Sequence, residues 1–192
     1  FDPIEYEVGF GAGEKYSPIV LHLDENNRIE LQGRIDRVDC FETDDMTYLS
    51  IIDYKSGAKD FKLSDVYYGL QIQLITYMDA IWENEEQNGK GTVLPAGMLY
   101  FKVDDPLIKE DRSLTPEQIE AAIMKSLKMK GLLMADVKVI KAMDNTIDGS
   151  SKIIPASINK SGEIGAYTSG ATEKQLKLLR KYIRGLLKKI GS

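Results

Sequence analysis

Two short stretches that alternate apolar and charged residues constrain the fold of this chain more than any other feature. They are residues 33–39, GRIDRVD, and residues 51–57, IIDYKSG, with a turn-prone acidic run between them. Both are rich in β-branched or aromatic residues, which predicts two β-strands. Asp53 and Lys55 are two residues apart in the second strand and therefore project from the same face. Asp36 on the preceding strand can bring a second carboxylate to the same place.

Two carboxylates that converge beside a lysine predict a metal site. Like charges at short range raise each other's pKa, and burial raises both pKa values further. A divalent cation between Asp36 and Asp53 removes this problem. Hard oxygen ligands suit Mg²⁺, or Mn²⁺ in its place, with substrate phosphate and water completing the coordination shell. The alternative is an exposed strand edge whose charged residues form salt bridges.

A third motif follows the two strand motifs, and the ordered set resembles a known family. Residues 71–77, QIQLITY, complete the set, and residues 1–10 add to the resemblance. The pattern resembles the RecB-like family of the PD-(D/E)xK nuclease superfamily, and within it the nuclease domains of AddB-type subunits of ATP-dependent helicase/deoxyribonucleases. A D-x-K motif alone occurs by chance in many proteins, whereas the three motifs in this order are much more specific. The resemblance is dense as far as Trp82 and thin after Phe101.

The resemblance implies an α/β fold with a restriction-endonuclease-like core, in which a central mixed β-sheet is flanked by helices. It implies Mg²⁺-dependent DNA exonuclease activity within an ATP-binding helicase-nuclease that acts in double-strand-break repair and recombination. The implied partners are DNA and a second helicase-nuclease subunit. Because the chain begins at Phe1 in what resembles the middle of a domain, residues 1–192 are predicted to be a single nuclease domain excised from a larger subunit.

The family's mechanism assigns roles to four residues of the two strand motifs. Asp36 and Asp53 would hold the cation together with the backbone carbonyl of Tyr54. The cation would lower the pKa of water and neutralise charge on the phosphate. Lys55 would position or help to deprotonate the attacking water and offset charge at the scissile phosphate.

Three further side chains are candidate DNA contacts. Gln73 and Tyr77 match the family's Q-x-x-x-Y helix motif, whose residues support the site and contact DNA. Packing of the helix on the sheet is the alternative for both. Arg34 shares strand parity with Asp36, and an arginine near a metal site is a natural phosphate clamp. Ion pairing with a neighbouring carboxylate is the alternative for Arg34 and for Arg37.

Residues outside the motifs add little to the predicted metal site. The family carries an acidic or histidine ligand before the first motif, and Glu7 is a candidate, with an exposed glutamate as the alternative. His22 lies in a strand-like run rather than on a helix and is not predicted to be that ligand. Proteins of the AddB type carry a four-cysteine iron–sulfur site. Cys40 is the single cysteine, so a cluster is compatible with a longer parent protein but not with this chain.

Composition narrows the class of protein further. The 192 residues are 43% hydrophobic and 29% charged, which is ordinary for a globular domain. No apolar run is long enough to span a membrane, and a single cysteine favours a reducing compartment, which predicts a cytoplasmic protein with no membrane partner. The formal net charge of −5 argues mildly against a protein that coats DNA. It does not exclude a nuclease.

Periodicity and capping signals predict the remaining elements. They are a strand over 16–23 and a turn over 24–27, which form a hairpin that runs into the strand of Asp36, a strand over 95–103 parallel to the strand of Asp53, an irregular stretch over 144–170, and helices over 64–86, 115–131, 136–143 and from Thr172 onward. The last helix carries lysines and the arginines Arg180 and Arg184 on its predicted outer face. That face could follow a DNA backbone, and the alternative is an ordinary solvated surface.

Three other functions compete with the predicted one. A stand-alone or CRISPR-associated RecB-like exonuclease would have the same chemistry without an attached helicase. A catalytically silent DNA-binding or scaffold domain would keep the fold without binding the cation. An unrelated soluble domain would contain the motifs by accident, and its sheet would place Asp36 and Asp53 on opposite faces.

Overall fold

The chain is described here from a computed structural model, which covers residues 1–57, 60–89, 91–103 and 114–192. Its elements, in chain order, are β1 (Asp2–Phe10), β2 (Ile19–His22), β3 (Arg28–Leu31), β4 (Gly33–Glu42), β5 (Met46–Lys55), α1 (Leu63–Tyr67), α2 (Gln73–Gln87), β6 (Thr92–Lys102), α3 (Pro116–Leu127), β7 (Lys130–Met134), α4 (Val137–Met143), β8 (Gly170–Ala171) and α5 (Glu173–Gly191). In this described part of the chain, no helix combines the length and the apolar character needed to cross a bilayer.

A six-stranded mixed sheet forms the centre of the fold, in the order β1-β4-β5-β6-β7-β8. Strands β1, β4 and β5 are antiparallel neighbours. Strand β6 lies parallel to β5, as predicted from the helical segment between them, because a strand–helix–strand crossover favours parallel neighbours. Strands β2 and β3 form a separate hairpin. The predicted mixed sheet with flanking helices is therefore confirmed.

The two faces of the sheet bury different sets of apolar side chains. Ile51 belongs to the cluster that includes Leu74 of α2. Its neighbour Ile52 belongs to a second cluster, which includes Ile140 of α4. Successive residues of a strand point to opposite faces, so α2 covers one face and α4 covers the other. Asp53 has the parity of Ile51 and therefore lies on the α2 face.

The predicted helix over residues 64–86 is two helices. Helix α1 ends at Tyr67 and α2 begins at Gln73. Gly69 lies between them with φ = 79°, a left-handed conformation that ends a helix readily only at glycine. Leu70, which fits the apolar period of a continuous helix, is instead 74% exposed. The break sets the start of α2 at the first residue of the Q-x-x-x-Y motif.

Strand β7 is absent from the elements predicted above. The helix predicted over residues 115–131 corresponds to α3 and ends at Leu127, and residues Lys130–Met134 pair with β6. Leu132 packs in one apolar cluster and Leu133 in the other, so both faces of this short strand are buried. A short apolar run of this kind cannot be distinguished from a helix by its periodicity.

The last helix begins as predicted, but part of its basic face is not exposed. Thr172 and Gln175 form a capping box at its start. Arg180 and Arg184 turn towards α2 and pair with Asp79, whose exposure is 3%. The prediction that these arginines lie on the outer face is wrong. A buried carboxylate that accepts from two guanidinium groups holds α5 on α2.

We expect Asp79→Ala to lower the free energy of unfolding by about 2–4 kcal/mol, because it removes the charge-assisted hydrogen bonds that Arg180 and Arg184 donate to one buried carboxylate. Urea unfolding followed by circular dichroism measures this change. Glu86→Ala is the matched control, since Glu86 also pairs with Arg180 but its side chain is 43% exposed. The control is expected to cost about 1 kcal/mol or less. Equal effects of the two substitutions would contradict the assignment.

Candidate active site

Asp36 and Asp53 lie on the same face of the sheet, in neighbouring strands. The last pair of the β4–β5 ladder joins Arg37 to Ile52, so the next residues in register are Asp36 and Asp53. Residues directly opposite in antiparallel strands project from the same face. Asp53 is 3% exposed, and Asp36 is half-buried.

The Asp36 carboxylate is fixed against the backbone of β5. Its Oδ2 atom accepts a hydrogen bond from the backbone N–H of Tyr54 at 2.7 Å. The next carbonyl, that of Lys55, faces β6 and accepts from the N–H of Val103 at 2.9 Å. Because successive peptide groups of a strand alternate in direction, the Tyr54 carbonyl faces the β4 side, where Asp36 lies. The Tyr54 ring lies on the other face against Phe101, so Tyr54 offers this site only its backbone.

Lys55 joins the buried carboxylate to helix α2. Its Nζ atom lies 2.5 Å from Oδ2 of Asp53 and donates to Oε1 of Gln73 at 3.2 Å. Gln73 in turn donates from Nε2 to the Tyr77 hydroxyl at 2.9 Å. The Tyr77 ring packs edge-on against Phe10, with centroids 5.7 Å apart. The series of hydrogen bonds from Lys55 through Gln73 to Tyr77 therefore ends at a ring packed in the core. This anchoring limits the positions that the Lys55 ammonium group can take.

Tyr100 is a site residue that the sequence motifs missed. It pairs with Asp53 across β5 and β6, so its side chain lies on the same face. The Lys55 ammonium is 5.8 Å from the centre of its ring. Burial, together with the charge of Asp53, raises the pKa of Tyr100 to about 12, so the hydroxyl keeps its proton at neutral pH. The predicted parallel pairing of the two strands was the signal that could have located it.

The donor atoms fit a hard divalent cation. The site brings together two carboxylates and a backbone carbonyl, with one ammonium group to balance two negative charges. Oxygen donors of this kind suit Mg²⁺ or Mn²⁺, which keep several waters and take phosphate oxygens from a substrate. Nowhere in the described residues do three or more His, Cys, Asp or Glu side chains form a group that could hold a metal ion. Asp36, Asp53 and Tyr54 as ligands stay a prediction.

Arg34 and Glu7 lie at the edge of this site. Arg34 donates from Nη1 to the backbone carbonyl of Glu7 at 2.9 Å, and its Nη2 is 3.7 Å from Glu14. Tyr6 and Val8 pair with the residues on either side of Asp36, and Glu7 between them has φ = 49°. The Glu7 side chain is exposed. A DNA contact by Arg34 stays a prediction.

Three other polar candidates lie away from the site. Arg37 makes two hydrogen bonds to Asp39, at 2.6 and 2.9 Å, on the opposite face of the sheet, as the ion-pair alternative predicted. His22 is exposed at the end of the small hairpin. Cys40 is buried in the core cluster on β4.

Comparison with known proteins identifies the family. The family model described as the PD-(D/E)XK nuclease superfamily matches residues 1–191. This chain belongs to the PD-(D/E)XK nuclease superfamily. The restriction-endonuclease-like core implied by the sequence motifs is therefore confirmed, and the match includes the part after Phe101 in which those motifs are thin.

Similar proteins from three bacteria carry the name of the B subunit of an ATP-dependent helicase/deoxyribonuclease. The chain is 62% identical over 190 residues to the protein of that name from Acetivibrio thermocellus, covering 99% of this chain and 17% of the relative. It is 56% identical to the Ruminiclostridium cellulolyticum protein, covering 100% of this chain and 17% of the relative. For Clostridium novyi the identity is 55%, covering 96% of this chain and 16% of the relative. The chain thus spans about a sixth of the length of these relatives.

Proposed function

We propose that this chain is a Mg²⁺-dependent deoxyribonuclease domain that hydrolyses phosphodiester bonds as an exonuclease. One observation carries the proposal: Asp36 and Asp53 share a face of the sheet beside Lys55, which is ion-paired to Asp53 and hydrogen-bonded to Gln73. Membership of a nuclease superfamily supports the same chemistry. In an accidental arrangement of motifs, nothing would require both carboxylates and the lysine to project from one face.

The cation site would consist of Asp36, Asp53 and the carbonyl of Tyr54. A divalent cation bound there would lower the pKa of the attacking water and offset negative charge on the phosphate. Asp36 is held by the Tyr54 N–H, and Asp53 is fixed by burial and by Lys55. Both carboxylates are therefore oriented before any ligand binds, which reduces the reorganisation needed for binding and catalysis. Mn²⁺ is expected to substitute for Mg²⁺, since both take oxygen ligands.

Lys55 would act on the phosphate and on the attacking water. Its ammonium group is ion-paired to Asp53, and its side chain projects from the same face of the sheet as both carboxylates. As water attacks the phosphorus atom, negative charge grows on the phosphate oxygens and on the leaving oxygen. A fixed ammonium group stabilises that charge without having to reorganise, and it can orient the water by a hydrogen bond.

The longer protein would be a helicase-nuclease. The relatives carry the name of an ATP-dependent helicase/deoxyribonuclease subunit, and this chain corresponds to 16–17% of their length. We propose that the domain digests DNA unwound by a helicase, with a partner subunit, during double-strand-break repair and recombination in the cytoplasm. A helicase-like region in the same gene would exclude the stand-alone and CRISPR-associated alternatives.

Cleavage of linear DNA tests the proposed function. Labelled single-stranded and duplex DNA would be incubated with the chain in Mg²⁺, in Mn²⁺ and in EDTA. We expect cleavage with either metal and none with EDTA. A correctly folded chain that cuts neither substrate with either metal would overturn the claim that this domain is an active nuclease by itself. Release of short products from DNA ends, but not from closed circles, would support exonuclease action.

Replacing Gln73 with leucine is expected to reduce cleavage roughly 10- to 100-fold, because Lys55 loses the hydrogen bond that holds it on the α2 side. Tyr77→Phe is the matched variant, since it removes only the far end of the same series. We expect it to reduce cleavage by less than about threefold. Single-turnover rates with saturating DNA measure both effects. A larger loss for Tyr77→Phe than for Gln73→Leu would show that the tyrosine has a separate role.

A further inference from the structure

A basic pocket of about 220 Å³ opens beside the candidate active site. Four lysines line it, and we call the three that lie beyond the catalytic strand the lysine row: Lys102, Lys128 and Lys130. The fourth is Lys55, which already belongs to the proposed site. At roughly 30 Å³ per water, the pocket has room for about seven waters, which is enough for a phosphate group.

The strand register explains why these lysines meet. Lys102 pairs with Lys55 across the parallel strands β5 and β6, so both side chains lie on one face. Lys130 pairs with Tyr100 across β6 and β7, which puts it on that face as well. Lys128 is the C-cap residue of α3 and precedes Lys130 by two positions. The lysine row therefore extends from Lys55 across the sheet, away from the strand of Asp36.

In the part of the chain that the structure describes, the proposed metal ligands and the lysine row lie on different strands of this face. The carboxylates of Asp36 and Asp53 lie on β4 and β5, whereas the lysine row lies on and beside β6 and β7. The exposed carboxylate of Asp60 pairs with Lys130, and that ammonium group holds the pKa of Asp60 below its usual range. Ammonium groups that share a small cavity repel one another, and an anion in the cavity offsets that repulsion.

We propose that Lys102, Lys128 and Lys130 bind a phosphate of the DNA strand that lies about one to three nucleotides from the one that is cut. This inference rests on the proposed nuclease function and adds a separate phosphate site to it. Neighbouring strands are about 4.8 Å apart, so the row reaches about 5–10 Å from the strand of Asp53 and Lys55. At a rise of about 3.4 Å per nucleotide, the bound phosphate belongs to a nucleotide one to three positions from the scissile bond.

The DNA strand would then cross the end of the sheet from β4 towards β7. The scissile phosphate would lie over the carboxylates and Lys55, and one nearby phosphate, on one side of the cut, would bind the lysine row. The row would hold only one side of the cut, so it would fix the direction in which the strand lies. Either an internal phosphodiester or a phosphate at the end of a strand would satisfy the lysines.

The test compares two triple variants. The first is Lys102→Gln with Lys128→Gln and Lys130→Gln. The control is Lys138→Gln with Lys141→Gln and Lys160→Gln, which removes the same charge from exposed positions on and near the opposite face of the sheet. Melting temperatures and circular dichroism verify that both variants fold. Binding of a labelled single-stranded oligonucleotide is measured in Mg²⁺ with Lys55→Ala present in every protein, so that cleavage does not interfere.

We expect the lysine-row variant to bind at least 10-fold more weakly than the control variant at low salt. For a single strand, the logarithm of the binding constant decreases with the logarithm of the salt concentration. This dependence should become shallower by about 0.7 for each phosphate that the variant no longer neutralises. With Lys55 restored, the variant should show a KM raised at least 10-fold and a smaller change in kcat.

Oligonucleotides with one neutral methylphosphonate locate the bound phosphate. The neutral group should weaken binding by about 5- to 10-fold at one position, one to three nucleotides to a single side of the cut. This effect is expected for the protein that keeps the lysine row intact. The lysine-row variant should be insensitive at that position. Comparing strands that end in a phosphate with strands that end in a hydroxyl distinguishes a terminal phosphate from an internal one.

These experiments distinguish a failure of the lysine-row proposal from a failure of the proposed nuclease function. If the lysine-row variant matches the control in KM, affinity and salt slope while both cleave DNA, this inference is wrong and the proposed function stands. If the native chain binds DNA through the lysine row but does not cleave it, the proposed function fails alone. If the native chain neither binds nor cleaves DNA, both are wrong.

Discussion

Replacing Lys55 with alanine is expected to lower the rate of DNA cleavage by about 10²- to 10³-fold, the usual cost of removing one fixed group that stabilises charge in the transition state. The ammonium group lies 2.5 Å from Asp53 and is hydrogen-bonded to Gln73, so it is positioned before substrate binds. Its removal takes away the positive charge that we assign to the scissile phosphate. Single-turnover cleavage with Mg²⁺ measures the effect.

The reduced rate should not come from a missing cation. Lys55→Ala removes no oxygen ligand and one competing positive charge, so affinity for Mn²⁺ should stay the same or rise. Titration followed by electron paramagnetic resonance measures this affinity. Lys138→Ala, on the opposite face of the sheet, should cleave DNA at the native rate. Cleavage by Lys55→Ala within threefold of the native rate would remove Lys55 from the proposed mechanism.

Asp53→Asn is expected to abolish detectable cleavage, a loss of about 10³-fold or more, and to weaken Mn²⁺ binding strongly, because the charge that attracts a hard cation and orients Lys55 is removed. The amide has nearly the same shape as the carboxylate, so packing in this 3% exposed position is preserved. Cleavage and Mn²⁺ titration on the same preparation measure both losses.

Asp39→Asn is the matched control for that substitution. Asp39 is also a buried aspartate, 6% exposed, and it is also paired with a basic side chain, Arg37. It lies on the neighbouring strand β4 but faces away from the site, towards a cavity on the other side of the sheet. This variant should lose stability while keeping Mn²⁺ binding and cleavage. If both asparagine variants lose cleavage equally, the loss reflects a disturbed sheet rather than a missing ligand.

The parts of the site that the sequence predicted depend only on residues that are close together in the chain. A period of two residues put Asp53 and Lys55 on one face, and the strand–helix–strand order predicted the parallel pairing of β5 with β6. Those two rules put Tyr100 on a strand next to that of Asp53, but the register that pairs the two residues comes from the structure. The spacing of Gln73 and Tyr77 likewise required only the geometry of one helix turn.

The missed parts depend on long-range packing. Strand β7 is buried on both faces, with Leu132 in one apolar cluster and Leu133 in the other, so its pattern lacks the alternation of a half-buried strand. Without β7, the lysine row could not be assembled from the sequence, because Lys130 reaches the site only by pairing with β6. Arg180 was predicted to lie on an outer face because its partner Asp79 is 101 positions away. Charge partners at that separation leave no local signal.

Both faces of the sheet are buried, and the candidate site lies where the pairing of β4 with β5 ends. Ile51 and Ile52 are adjacent, yet one packs under α2 and the other under α4. Helices pack on both faces of the sheet. The carboxylates of Asp36 and Asp53 come directly after the last pair of the β4–β5 ladder, Arg37 and Ile52. The candidate site therefore lies at the end of the paired region, where Asp36 and the Tyr54 carbonyl are not committed to the ladder.

Locating Mn²⁺ by anomalous scattering in crystals of this chain tests the central claim most directly. We expect one peak that contacts carboxylate oxygens of Asp36 and Asp53 and the backbone carbonyl of Tyr54. The peak should persist in Lys55→Ala and disappear in Asp53→Asn. A peak elsewhere, or no peak at this place in a chain that still cleaves DNA with Mn²⁺, would contradict the proposed catalytic site.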